Sequence, residues 1–268
     1  MSATGSRRSL AVVTGASSGI GLSLACELAR RGHDLVIAGD DTLLGDAAAA
    51  LRHEGAAVVA ERVDLADPDG VRAVHDAVVA DGRPVAVAVL NAGVGSSGRF
   101  HETPLEGDLE VVDLNVRSTV HLTKLLLPAM VERGEGRLLF TASIAGLAPG
   151  PYQATYAASK SFVHLFAEGL RHELRGTGVT VTSLMPGPTD TMFFDRAGMR
   201  DTRIGRMPKA DPDTVARQAY DATMAGKDHV VSGSVLNRVQ AMGSGLLPDR
   251  VKAYAQAFLS KPPADSDR

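Results

Sequence analysis

Strand-length apolar runs alternate with longer helical patterns along most of the chain, and this alternation is the strongest constraint on its fold. Residues 10–14 read as a strand, 19–31 as a helix ended by Gly32, 35–38 as a second strand and the Ala-rich 42–54 as a helix. The rhythm continues with strands at 57–63, 85–90, 137–141 and 179–184. Between them lie helical patterns at 68–80, 105–133 (with Pro128 as the place for a bend) and 152–175. Strands joined by crossover helices run parallel, with right-handed connections and helices on both faces. The expected fold class is α/β: a doubly wound parallel sheet, the three-layer α/β/α arrangement of the Rossmann fold. In such sheets ligands bind beyond the carboxyl ends of the strands.

Composition agrees with this and narrows the partners. Aromatic residues are 4% of the chain and Trp is absent, so the core must come from Ala, Val, Leu and Ile, which suits helices on a parallel sheet. The formal net charge of −3 gives no basic excess for a phosphate backbone, so no nucleic-acid partner is expected. The single cysteine, Cys26, excludes an intrachain disulfide and reads as a buried, inert thiol. Residues 1–9 hold no apolar signal-peptide core and the apolar runs are far shorter than a membrane span. A soluble, cytoplasmic protein with no membrane partner is the expectation.

The pattern loosens after Pro186. Residues 188–210 mix polarity without a clean period and read as a substrate loop or short helices. Residues 211–225 are helical, 229–232 resemble a last short strand, and the tail at 236–260 has room for one or two helices, such as 249–259, before fraying from Pro262. No repeat or linker divides the chain, so residues 1–268 are expected to form one dinucleotide-binding and catalytic domain.

The first strand runs into Thr14-Gly15-Ala16-Ser17-Ser18-Gly19-Ile20-Gly21 and then a helix. Glycines there let the backbone approach a pyrophosphate, and the helix start offers free N–H groups and a partial positive charge. Ser17 and Ser18 add hydroxyl donors. Asp40 ends the second strand about twenty residues later, where a carboxylate accepts the adenine-ribose hydroxyls and repels a 2′-phosphate. No Arg or Lys stands between His33 and Leu51. NAD is therefore expected ahead of NADP. Asp40 ranks ahead of Asp41 for the ribose, the other reading being a turn that caps the next helix.

The spacing Gly-x-x-x-Gly-x-Gly resembles that of the short-chain dehydrogenase/reductase family in its single-domain branch, and the resemblance runs from about residue 10 to residue 191. It implies that Asp64 meets the adenine amino group and Leu65 lies beside the ring, with an ordinary turn aspartate as the alternative. It also implies that Asn91, Ala92 and Gly93 steady the sheet beside the adenosine, with Asn91 either structural or in direct contact. Pro186, Gly187, Thr189 and Thr191 then match the segment that fixes the nicotinamide carboxamide, with Thr191 the first choice of hydroxyl and Thr189 the second.

Tyr156 and Lys160 stand four apart, so on a helix they share one face. An ordinary Tyr has a pKa of about 10, too high for base chemistry near neutrality. A nearby ammonium favours phenolate and would lower it. Ser143, just after the fifth strand, can hydrogen-bond a substrate oxygen on which negative charge develops. Asn115, an amide in an apolar helix, needs partners. The resemblance has it hold a helix kink and a water relay reaching Lys160. These residues imply hydride exchange between a nicotinamide cofactor and a small alcohol or carbonyl substrate, with no metal. Rival readings are a non-enzymatic dinucleotide sensor on the same fold and a sugar-nucleotide epimerase, which the glycine spacing disfavours. Met192, Phe193, Phe194, Met199 and Met207 either line an apolar pocket or pack the loop onto the core. By resemblance, the helices at 105–133 and 152–175 form a homodimer or homotetramer interface.

Overall fold

A computed structural model describes residues 8–232 and 248–262. Its sheet has seven strands in the order β3-β2-β1-β4-β5-β6-β7, every neighbouring pair parallel. The strands are β1 (Ser9–Thr14), β2 (His33–Gly39), β3 (Val58–Arg62), β4 (Val85–Leu90), β5 (Gly136–Thr141), β6 (Val179–Pro186) and β7 (His229–Ser232). The order reverses between β1 and β4, which opens the crevice where a doubly wound sheet takes its ligand. The expected Rossmann-like α/β class is the one observed.

Residues on a strand alternate between two cores. Leu10, Val12 and Phe140 face one core with Val71 and Val74 of α3 (Pro68–Asp81), Leu122 and Leu126 of α5 (Ser118–Arg133), and Val163 of α6 (Ala154–Glu173). Ala11, Val13 and Ile37 face the other with Leu24 and Leu28 of α1 (Gly19–Arg30), Leu51 of α2 (Leu44–His53), and Val215 and Ala219 of α8 (Pro212–Met224). A sheet buried on both faces explains why its strands are continuous apolar runs.

The long helical pattern at 105–133 is interrupted at Asn115, where the resemblance put a helix kink, and not at Pro128. It divides into α4 (Leu105–Val112), a π-helical turn (Asp113–Arg117) and α5. The turn carries Asn115, and Ser118 and Thr119 donate side-chain hydrogen bonds back to the Leu114 and Asn115 carbonyls. Side-chain partners for helix carbonyls make such a widened turn tolerable. The start of α6 also differs from expectation. Tyr152 adopts φ 64°, outside the helical region, so the helix begins at Ala154.

The substrate loop contains one short helix, α7 (Phe193–Arg196), and the C-terminal segment forms α9 (Asp249–Ser260). The tail helix expected before residue 248 and the segment at 1–7 lie outside the described residues. Cys26 is half-buried, and burial pushes its thiol up, as suits an inert side chain. Among the described residues no helix is long and apolar enough to cross a membrane.

Candidate active site

The carboxyl edge of the sheet encloses a cavity of about 620 Å³ that reaches from the start of α1 to the substrate loop and α9. Every site residue expected from the sequence lines it except Asn115, which stands directly behind the wall.

At one end, β1 enters the glycine turn. Gly15 has φ +64°, and a Cβ there would lie 2.9 Å from the Ala92 Cα. A Cβ at Gly21 would lie 2.0 Å from the Gly15 carbonyl oxygen. Both glycines are thus fixed by close backbone packing. Ser18 sits at the N-cap of α1 in extended conformation, and no side chain caps the helix. The opening N–H groups of α1, with the Ser17 and Ser18 hydroxyls on the cavity wall, form a donor set of the kind a pyrophosphate takes. The residues present fit a dinucleotide.

Asp40 lies exposed at the rim beside Asp41. The structure engages Asp41 more closely than Asp40. One Asp41 oxygen accepts from Ser17 Oγ at 3.0 Å and Arg196 Nη2 at 2.8 Å, and the other from the Leu43 N–H at 3.0 Å. Burial opposes its charge, but Arg196, Ser17 and the Leu43 amide outweigh that and hold its carboxyl below the ordinary range. Arg196 is the cation that the local sequence around β2 lacks, and it arrives from 155 residues away. Asp64 accepts from the Ala66 N–H at 2.8 Å, the alternative turn role, while also lining the cavity; Leu65 is buried beside it.

Asn91 bridges three strands. Its amide donates to the Thr14 and Gly15 carbonyls at 3.1 and 3.4 Å, and its oxygen accepts from Thr141 Oγ1 at 3.1 Å. Gly93 leaves room for two polar groups, since a Cβ there would lie 2.9 Å from Asn115 Oδ1 and 3.1 Å from Lys160 Nζ. Asn115 clamps the backbone just beyond it. It accepts from the Val94 N–H and donates to the Val94 carbonyl and Ser159 Oγ, all at 2.9 Å.

The catalytic wall is built by β5 and α6. Ser143 caps a 3₁₀ turn (Ile144–Leu147), accepting from the Ala145 N–H at 3.1 Å, and also shares a hydrogen bond with Tyr156. A Cβ at Gly146 would lie 2.6 Å from the Ser161 nitrogen, so glycine permits this turn to press against α6. Tyr156 and Lys160 are buried, and Lys160 Nζ donates to the Thr141 carbonyl at 2.8 Å. Burial pushes Tyr156 up to about 12, against the opposing pull of the Ser143 hydrogen bond. Burial also pushes Lys160 down to about 8, which still leaves its ammonium mostly charged at neutral pH.

Thr189 is buried with its hydroxyl donated to the Gly187 carbonyl at 2.9 Å. Thr191 Oγ1 accepts from the Phe193 N–H at 3.3 Å, which leaves its proton to give. The loop's apolar residues take both roles left open by the sequence. Met192, Phe193, Phe194, Met199 and Met207 line the cavity, while Phe194 and Met199 also form a small buried cluster with Ala197. The Phe193 ring lies 5.1 Å from that of Tyr156. Among the described residues no cluster suited to a metal ion occurs.

A family model for short chain dehydrogenases matches residues 9–200. The chain belongs to the short-chain dehydrogenase/reductase family. It is 42% identical over 232 residues to 1-deoxy-11-beta-hydroxypentalenate dehydrogenase of Streptomyces exfoliatus, covering 84% of this chain and 82% of that one. Among solved structures, a short-chain dehydrogenase from Sphingobium yanoikuyae in complex with NADPH superposes with a TM-score of 0.79 at 32% identity, covering 88% of this chain and 93% of the other. One from Burkholderia phymatum in complex with NAD gives 0.80 at 28% identity, covering 87% and 92%. This short-chain dehydrogenase/reductase is thus an oxidoreductase by family, and it matches relatives holding either nicotinamide cofactor.

Sequence reasoning missed Arg196, Gln153 and Gln256. Gln153 N-caps α6 and donates to Ser260 of α9 at 2.8 Å, and Gln256 lines the cavity. No local motif marks any of them, because the path of the folded chain alone brings each to the cavity.

Proposed function

We propose that this oxidoreductase moves a hydride between NAD(H) and the alcohol or carbonyl carbon of a small molecule, with Tyr156 exchanging the proton on oxygen. The observation that carries this reading is the buried Ser143–Tyr156 hydroxyl pair, with Lys160 one helical turn on, set in the same cavity as the uncapped start of α1. When bound, the nicotinamide supplies the hydride acceptor or donor, and its oxidised form adds a positive charge.

Ser143 and Tyr156 hold the reacting oxygen between two hydroxyls. Tyr156 gives its proton to that oxygen in reduction and takes one in oxidation. A phenol held near 12 remains protonated at neutral pH, the state reduction requires. Lys160 binds ribose hydroxyls and, when charged, eases the phenol towards phenolate. Asn115 holds the Val94 backbone and hence the Asn91–Gly93 loop against the cofactor. Thr191 offers its hydroxyl proton to the carboxamide.

Preference for NAD(H) over NADP(H) rests on the carboxylates of Asp40 and Asp41. Arg196 offsets Asp41, so Asp40 carries the repulsion of a 2′-phosphate. Exposed apolar residues on α4 (Leu105, Leu109) and α6 (Phe162, Leu165) support a homodimer or homotetramer through these helices. The setting is the cytoplasm, with no nucleic-acid or membrane partner.

The test is to titrate the protein with NADH and with NADPH by nicotinamide fluorescence, then screen ketones and secondary alcohols for turnover. Tighter NADH binding with ketone-dependent oxidation is expected. Binding of neither cofactor would overturn the reading.

A further inference from the structure

The end of the cavity remote from the α1 start is walled by apolar side chains, among them Met199, Ile204, Met207 and Leu259. Two amide side chains, Gln153 and Gln256, line the cavity beside α9. Gln256, on α9, lines the cavity and is 7% exposed. Its side-chain oxygen is buried and has no hydrogen-bond partner among the described residues. A buried amide oxygen left unpaired is destabilising, and a Leu or Met of similar volume would avoid the penalty.

The residue is also held in place. One turn further along the same face of α9, Ser260 accepts the Gln153 amide at 2.8 Å, which ties α9 to the cap of the catalytic helix. On its other side α9 is tied to the substrate loop. The Ile204 N–H donates to the Leu259 carbonyl at 3.1 Å, Arg203 Nη1 donates to the Phe258 carbonyl at 3.0 Å, and the Arg203 guanidinium lies 3.7 Å from the centre of the Phe258 ring. Gln256 is therefore carried on an anchored helix, and among the described residues its oxygen is an unpaired acceptor in a largely apolar part of the chamber, whose other amide, Gln153, is already bonded to Ser260.

We infer that Gln256 is a specificity residue that binds a hydroxyl on the substrate, distant from the reacting carbon. The substrate class is an apolar carbonyl or alcohol carrying a second hydroxyl. A hydroxyl both donates and accepts, so it satisfies either atom of the amide. The reacting oxygen itself belongs to Ser143 and Tyr156, so the two ends of the substrate are read separately. This inference rests on the oxidoreductase activity proposed above.

The experiment compares octan-2-one with octan-2-ones hydroxylated at successive carbons from the fifth to the eighth. In the wild type, at least one hydroxylated ketone should exceed the parent by about tenfold or more in kcat/KM, because a site built for a hydroxyl rejects the analogue that lacks it. In Gln256→Leu that ratio should fall to within about twofold of one while kcat/KM for the parent holds or rises. The free variant should also melt at a higher temperature, since its unpaired oxygen is gone. Turnover without discrimination in the wild type, a preference that survives Gln256→Leu, or a lower melting temperature in the variant would each overturn the inference. Failure to turn over any carbonyl compound would bring down the activity as well, which separates the two claims.

Discussion

Replacing Asn115 with Ala should reveal how much of the site's order depends on one buried amide. The side chain is 1% exposed and makes three hydrogen bonds of 2.9 Å, two to the Val94 backbone and one to Ser159. Ser159 keeps a second bond, donated to the Tyr156 carbonyl at 2.7 Å, so its loss is partial. The Val94 N–H and carbonyl lose their side-chain partner outright, and an orphaned buried group costs roughly 1–3 kcal/mol. Val94 lines the cavity, where water can reach part of it. That argues for the lower half of the summed range, about 2–4 kcal/mol in all. For a chain of this size the shift in Tm is about 2–4 °C per kcal/mol. Urea and thermal unfolding should show a loss of this size, and cofactor affinity should fall as the Asn91–Gly93 loop loosens. A variant within about 0.5 kcal/mol of wild type would refute the reasoning, since that is the level of an ordinary surface substitution.

Cofactor choice and stability give further tests. Arg196→Ala should leave Asp41 unneutralised and worsen NADPH binding relative to NADH, whereas Asp40→Ser should improve it; opposite shifts in fluorescence titrations would contradict the charge argument. Arg83→Ala removes the guanidinium that bonds Asp34 at 2.6 Å, while Arg8 at 3.2 Å and the Ala57 N–H at 2.8 Å stay, so the cost in denaturant unfolding should fall below the ~3–5 kcal/mol of a buried charge left unpaired. Stability should also carry a mark of Lys160. Its folded pKa of about 8 lies below the ordinary 10.5, so as pH rises from 8 towards 10.5 the folded chain has released a proton that the unfolded chain still holds, and stability increases. Lys160→Met should flatten that rise in pH-dependent unfolding; an unchanged slope would assign it to other groups.

Much of the scaffold was legible in the sequence because its signals are local. Continuous apolar runs such as 10–14 and 85–90 announced strands buried on both faces, and the Gly15–Gly21 turn announced the ligand edge. Elements that depend on distant contacts were not legible. The π-helical turn at Asn115 coincides with that amide's bonds to Val94 and with Ser118 and Thr119 bonding the loosened carbonyls, so periodicity alone passed over it and favoured Pro128, and only the family resemblance put a helix kink at Asn115. Asp41 gained prominence over Asp40 through Ser17 and through Arg196, whose approach is set by the path of the substrate loop. Tyr156 and Lys160 were found by spacing, yet spacing could not disclose that burial dominates both pKa values. Gln256 carries no motif, and only its position in the folded chain gives it meaning.

The most direct test of the central claim is Tyr156→Phe, measured for cofactor affinity and for turnover on any ketone the wild type reduces. The substitution removes one hydroxyl and preserves the ring that packs on Phe193. Cofactor binding should remain within about threefold of wild type, while kcat falls by about 100-fold or more, the range for loss of a general acid. Retention of wild-type kcat would remove Tyr156 from proton transfer and contradict the account.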